Sequence, residues 1–300
     1  MKLLVTGAWN CTNEQLNSLK IIGNEILFLQ NESDELPNGT ADAEGIVCNG
    51  LFLYHDIREF PNLRYIQLTS AGFDRVPMEY VRDKKIKIHN ARGVYSIPMA
   101  EFAVCGVLQL LKHSVAFVQS KNNHEWKKER NLGELFEKTV CIVGCGSVGN
   151  ECAKRFSAFG CEIIGVDLYP REDERYSDIY PLNEIEKAFR RSDIVVLTLP
   201  LTEQTRHLIN KETLSFIRQR AIIVNIARGQ IVCTEDLIDA INGKRIFGAV
   251  LDVFEEEPLS FDSPLWEMEN VILTPHNSFV GEGNGERLWE VIRKNLEDFQ

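Results

Sequence analysis

No C-x-x-C occurs among the eight cysteines of this 300-residue chain, which removes the commonest metal and redox spacing. Cys11, Cys48, Cys105, Cys141, Cys145, Cys152, Cys161 and Cys233 fall mostly inside apolar runs. They are expected to be reduced and buried in a cytoplasmic protein, with no disulfide or metal role. No apolar run reaches the ~20 residues that span a bilayer. The opening Met1 to Ala8 is too short for the apolar core of a signal peptide and reads as a buried strand. Basic residues are outnumbered, 33 Lys and Arg against 44 Asp and Glu, for a net charge of −11. Nucleic acid and anionic membranes need a basic face, so neither is an expected partner. Internal repeats, low-complexity tracts and long flexible linkers are absent as well.

What the chain does have is a rhythm of short apolar runs alternating with helical patterns, which implies parallel α/β sheets. Its length exceeds a usual single core, so two domains are expected. The first half reads as a small flavodoxin-like domain, with strands at 2–6, 26–29, 45–48, 65–68 and 86–89 and a helix opened by Thr12. Pro98 opens an apolar segment from Met99 to Val118. Read as one helix apolar on all sides, it would have to be buried on all sides, between domains or subunits.

The run Thr139-Val140-Cys141-Ile142-Val143 enters Gly144-Cys145-Gly146-Ser147-Val148-Gly149, a helical pattern follows, and a second apolar run ends at Asp167. Such a strand, G-x-G-x-x-G, helix, strand and acid form the fingerprint of a dinucleotide site on a Rossmann-type doubly wound sheet. Gly144 would allow the tight turn, Gly146 the approach of a pyrophosphate, and Gly149 close packing of helix on sheet. Ser147 and its neighbours would offer helix N-terminal N–H groups to the anion. A carboxylate at Asp167 would accept ribose hydroxyls and repel a 2′-phosphate, favouring NAD over NADP. A glycine loop alone is also compatible with a structural turn; the strand, helix and acid in register carry the nucleotide reading. Cys145 inside the loop is either packed or, if the helix N-terminus lowers its pKa, reactive.

Further strands are expected at 193–200, 221–227, 247–254 and 270–275, with helices capped by Asn210 and Thr234. Ligands gather beyond the carboxyl ends of parallel strands. There the second half places Arg228, the acidic run Glu255 to Glu257, and His276. A guanidinium can grip a carboxylate and carbonyl, and an imidazole backed by a carboxylate can pass a proton, which suits hydride exchange with a 2-oxo acid. In the first half, the loop Thr69 to Asp74 reads equally as a backbone nest for a carboxylate or as an ordinary loop.

These stretches resemble the NAD-dependent D-isomer-specific 2-hydroxyacid dehydrogenases. The likeness rests on Asn225-Ile226-Ala227-Arg228-Gly229, on Leu251-Asp252-Val253-Phe254-Glu255-Glu256-Glu257-Pro258-Leu259, and on Leu273-Thr274-Pro275-His276. The glycine fingerprint, Leu199-Pro200-Leu201-Thr202 and Met99-Ala100-Glu101-Phe102 extend it over nearly the whole chain.

The resemblance implies catalysis by Arg228, which would bind the substrate, by Glu257, and by the acid/base His276 that it pairs with. It implies cofactor contacts from Gly144, Gly146, Ser147, Val148, Gly149, Asp167, Pro200, Thr205 and Ala227, with Asp252 on the nicotinamide carboxamide. It also implies substrate contacts from Ser70, Ala71, Gly72 and Tyr95, with a 2-oxo or 2-hydroxy acid as substrate and no metal. The expected domains are a discontinuous substrate domain, 1–97 with 278–300, around a nucleotide domain, 98–277, closing on substrate. A homodimer through the helical arm after Pro98 is implied too. The pattern departs from the family at Asn277-Ser278-Phe279-Val280, where small residues are usual, and the chain stops at Gln300, directly after its last helix. An alternative outside enzymology is an NAD-sensing, corepressor-like protein-binding module on the same scaffold.

Overall fold

Strands rich in Val and Ile on both faces need helices on both sides, and the chain builds such a layer twice. The computed structural model describes residues 1–299 and divides into two compact units, one of Met1–Tyr95 with the chain from Gly281 onward, the other of Ser96–Val280. Gln300, the last residue of the expected substrate domain, lies outside the described residues.

In the first unit, β1 (Lys2–Thr6), β2 (Glu25–Leu29), β3 (Gly45–Cys48), β4 (Tyr65–Leu68) and β5 (Lys87–His89) pair in parallel in the order β2-β1-β3-β4-β5. This is the flavodoxin-like order, with its reversal between β1 and β3. Alternation along each strand sends Leu4, Ile46 and Ile66 to one face and Leu3, Val5, Val47 and Tyr65 to the other. The second face is covered by the last helix, Asn284–Phe299, through Leu288, Ile292 and Leu296. Trp9 and Trp289 stack at 5.6 Å, and the Asn295 amide donates to Gln67 at 2.9 Å. The Thr12 cap is present as a full capping box with Gln15.

The second unit holds β6 (Thr139–Val143), β7 (Glu162–Asp167), β8 (Asp178–Pro181), β9 (Ile194–Leu197), β10 (Ala221–Asn225), β11 (Ile246–Leu251) and β12 (Val271–Leu273). Their order is β12-β11-β10-β9-β6-β7-β8, all parallel. The chain works outward from β6 to β8, then returns to β9 on the other side of β6. That reversal opens a crevice at the carboxyl ends of β6 and β9. Both units are thus parallel α/β, the class expected from the sequence. Strand β8 was not expected, because Asp178-Ile179-Tyr180-Pro181 is too short and too polar to show a period.

The apolar segment after Pro98 differs from expectation. It is two helices, Ser96–Leu111 and Ser114–Asn122, bent by 63° at His113, which takes a left-handed φ of 51°. Lys112 and the Leu111 carbonyl are both tied to Gly133, which closes the first helix end. The first helix buries Ala100, Ala103, Val107 and Leu110 but exposes Glu101 and Cys105; the second buries nothing and leaves Val115, Phe117 and Val118 outside. Within the single chain, then, neither helix is buried on all sides. No single described helix is long and apolar enough to cross a membrane.

The first of these helices sits on the sheet through Gly106, where an ideal Cβ would lie 2.5 Å from Val250 Cγ1. Gly106→Ala is expected to destabilise the protein by about 1–3 kcal/mol, since the fully buried Val250 has no space to give. Urea denaturation checks this, and an unchanged or raised midpoint contradicts it.

Candidate active site

The glycine loop sits at the crevice between β6 and β9. Gly144 has a φ of +106°, its N–H donates to Val166, and a Cβ there would strike the Leu199 backbone at 2.7 Å. A Cβ on Gly149 would lie 2.1 Å from the Gly144 carbonyl oxygen, so helix and loop touch directly. Gly146 differs, because a Cβ there would meet nothing within 4 Å. It borders open space at the N-terminus of helix Ser147–Ala158, whose start has no side-chain cap. That combination of open space and helix N-terminal N–H groups fits a pyrophosphate. The Asp167 carboxylate accepts from Cys145 N–H at 2.7 Å and from Tyr169 N–H at 2.9 Å, which braces the loop and leaves lone pairs for ribose hydroxyls. Burial, helped by the Asp167 charge, pushes the Cys145 thiol up to about 12. Its packed reading holds, and it carries no thiolate near neutrality.

At the carboxyl end of β11 stands Asp252, fully buried. Its Oδ1 accepts from the Thr274 hydroxyl and from Asn277 N–H, each at 2.7 Å, and its Oδ2 from Ser278 N–H at 2.9 Å. The Asp252 carbonyl accepts from His276 N–H at 2.8 Å. These bonds clamp the residues on either side of His276, whose φ of +51° is left-handed. Such a conformation persists in a non-glycine residue only when its surroundings over-determine it. The resemblance implies that Asp252 contacts the nicotinamide; in the structure its carboxylate accepts these three bonds from the turn.

The His276 ring meets Glu257, Nδ1 to Oε2, at 2.8 Å. Glu257 Oε1 in turn accepts from Phe254 N–H at 3.1 Å. A carboxylate on Nδ1 selects the tautomer with the proton on Nδ1 and leaves Nε2 as the other ring nitrogen. Phe279 stands edge-on to the imidazole at 6.0 Å. The departure from the family pattern therefore places an aromatic wall beside the histidine.

Arg228 follows β10 on a turn braced by Asn225. The buried Asn225 amide donates to the Arg228 carbonyl at 3.0 Å and accepts from Ala227 N–H at 3.1 Å. The half-buried Arg228 side chain donates to Ala227 O at 2.7 Å. Gly229 is obligatory next to it, because a Cβ there would fall 1.8 Å from the Phe254 carbonyl carbon. Thr205 is fully buried; its hydroxyl donates to Pro200 O at 2.8 Å and accepts from Thr202 N–H at 2.7 Å. It fixes the shape of the loop at Pro200 and turns no polar atom outward.

In the first unit, the loop after β4 is tied by Ser70 O to Ala91 N–H and by Asn90 to Ala71 O. Among the described residues, the N–H groups of Ser70, Ala71 and Gly72 have no acceptor within the protein. The half-buried Tyr95 donates its hydroxyl to Thr69 O.

Sequence reasoning missed two features. One is Asn225, whose side chain shapes the Arg228 turn; an Asn ending a buried apolar strand was the available signal. The other is a second histidine–carboxylate contact, His207 Nε2 to Glu255 Oε2 at 3.1 Å. Glu255 also changes the expected helix start, since the N-cap is Cys233 and the Thr234 N–H is taken by Glu255 Oε1 at 2.7 Å. Burial raises the Glu255 carboxyl, but its bonds to Thr234 and His207 outweigh this and leave it lowered.

The model of the D-isomer-specific 2-hydroxyacid dehydrogenase NAD-binding domain matches residues 104–278. A glyoxylate reductase of Pyrococcus horikoshii is 34% identical, over 80% of this chain and 74% of that protein. A D-lactate dehydrogenase from Aquifex aeolicus, solved with NAD and lactic acid, superposes with a TM-score of 0.78 at 25% identity, covering 99% of this chain and 95% of that one. A D-isomer-specific 2-hydroxyacid dehydrogenase from Xanthobacter autotrophicus, solved with NADPH, gives 0.81 at 25% identity over 99% and 95%.

Because three donors converge on the buried Asp252 carboxylate, Asp252→Asn sets an amide N–H₂ against at least one of them. A loss of about 1–3 kcal/mol in unfolding free energy is expected. Chemical denaturation followed by circular dichroism measures it, and wild-type stability would refute this role.

Proposed function

Because the chain belongs to the D-isomer-specific 2-hydroxyacid dehydrogenases, a family that binds NAD, we propose that it reduces a 2-oxo acid to a D-2-hydroxy acid. The observation carrying this reading is the 2.8 Å contact between His276 Nδ1 and Glu257 on a turn that holds the imidazole rigidly. When bound, the nicotinamide supplies the hydride. Arg228 binds the substrate carboxylate and carbonyl through its planar fork, aided by the N–H groups of Ser70, Ala71 and Gly72. The His276 ring gives its Nε2 proton to the carbonyl oxygen as negative charge develops there, and Glu257 keeps the ring oriented through Nδ1. Tyr95 lines the substrate side. Gly144 to Gly149, Asp167, the Pro200 to Thr205 loop and Ala227 hold the cofactor. Asp252 contacts the nicotinamide carboxamide and also fixes the His276 turn.

The same reading makes the protein a cytosolic homodimer joined through the arm after Pro98. Exposed Val115, Phe117 and Val118 support it, as does a groove of about 530 Å³ lined by Val104, Cys105, Leu108 and Phe159. Residues 1–95 and the last helix serve as the substrate domain.

A panel of glyoxylate, hydroxypyruvate, pyruvate and branched or aromatic 2-oxo acids is expected to oxidise NADH, and NADPH more slowly because Asp167 repels a 2′-phosphate. His276→Asn, which tolerates the left-handed backbone, should lower kcat about 10²–10⁴-fold while NADH still binds. Turnover by His276→Asn at the wild-type rate would sink the acid/base role. Phe279→Ala should shift kcat/KM toward bulkier 2-oxo acids by about tenfold relative to glyoxylate. Unchanged selectivity would remove Phe279 from the pocket.

A further inference from the structure

Glu255 and Glu257 stand two residues apart, and each contacts a histidine. Glu257 meets His276, while Glu255 meets His207, on a loop 48 residues away in sequence. The His207 backbone is held at both ends. Its N–H donates to Gln230 O at 2.8 Å, its carbonyl accepts from the Asn210 amide at 2.9 Å, and its φ is +48°. Two residues on, Ile209 pairs with Val232 as a parallel bridge, with Ile209 N–H to Ile231 O at 3.0 Å and Cys233 N–H to Ile209 O at 2.8 Å.

Glu255 is equally committed. Oε1 accepts from Thr234 N–H and Oε2 meets His207, while its backbone carbonyl accepts from the Gln230 amide at 2.8 Å. His207, Gln230 and Glu255 thus close a ring of contacts. It joins the loop carrying Thr205, the turn carrying Arg228 and the segment carrying Glu257. The neighbouring residues Gly229 and Phe254 approach at backbone distance. With 42% and 31% of their side-chain surfaces exposed, the two partners add little stability as an ion pair. What the contact does is geometric: it fixes the direction in which the chain leaves Glu255, and so the position of Glu257.

We propose that His207 and Glu255 are the positioning pair of this active site, holding the Glu257 segment in register with the Arg228 turn so that Glu257 reaches His276. The proposal rests on the dehydrogenase reading but can be judged apart from it. His207→Asn tolerates the left-handed backbone yet is too short to reach Glu255, whereas His207→Gln sets an amide nitrogen near the place of Nε2.

In the full-length protein, His207→Asn is expected to speed amide hydrogen exchange in the segment 253–257 about tenfold, because the Phe254 N–H bond to Glu257 opens more often. It should also lower kcat/KM for the best 2-oxo acid about tenfold, with NADH affinity within about twofold of wild type. His207→Gln should restore both. The double variant His207→Asn with Glu257→Gln should be no slower than Glu257→Gln alone, since both act through one carboxylate. Glu255→Ala, removing the partner from the other side, should reproduce the exchange effect. Unchanged exchange in His207→Asn, no rescue by His207→Gln, or additive losses in the double variant each overturn the pair. If the wild type turns over no 2-oxo acid, the dehydrogenase reading fails while the exchange measurements still decide the latch.

Discussion

Asp252 has no access to water, and a buried carboxylate is tolerated only where donors replace its lost hydration. The chain supplies a hydroxyl from Thr274 and the N–H groups of Asn277 and Ser278, and to bring them there it must bend sharply between Thr274 and Asn277. His276 is the residue at that bend, which is why it takes a left-handed conformation. The direction of its ring thus follows from an electrostatic requirement one strand away. The contact with Glu257 then fixes the tautomer.

The same economy appears around Arg228. A buried amide at Asn225 closes the turn, and the glycine after Arg228 lets the next segment pass at backbone distance. Two histidines with left-handed backbones, His207 and His276, flank the acidic segment, each facing one glutamate. Neither contact is well buried, so their value lies in direction and not in binding energy.

Features governed by local constraints are legible in the sequence. The glycine loop is one, since its turn, its close packing and its acid follow within a single βαβ unit. The Thr12 and Asn210 caps are others, each decided within three residues. Arg228, the acidic run and His276 stand out by type at strand ends. The pairing of Glu257 with His276 is reached only through the family resemblance, and that of Glu255 with His207 not at all, because the partners are 19 and 48 residues apart and only the packed sheet brings them together. The bend at His113 is hidden for a different reason. No glycine or proline marks it; the only local sign is the short polar stretch Lys112-His113-Ser114 between two apolar runs. Strand β8 is invisible because an edge strand of four residues needs little hydrophobicity.

The last helix covers the face of the first sheet that carries Leu3, Val5, Trp9, Val47 and Tyr65. On the ribosome those residues emerge long before Asn284–Phe299 does, with the whole of Ser96–Val280 made in between. The second unit can therefore complete its core while the first still shows an uncovered apolar surface. Completion of the cores thus runs against the order of synthesis, since this face of the amino-terminal sheet is covered only once the helix Asn284–Phe299 has been made.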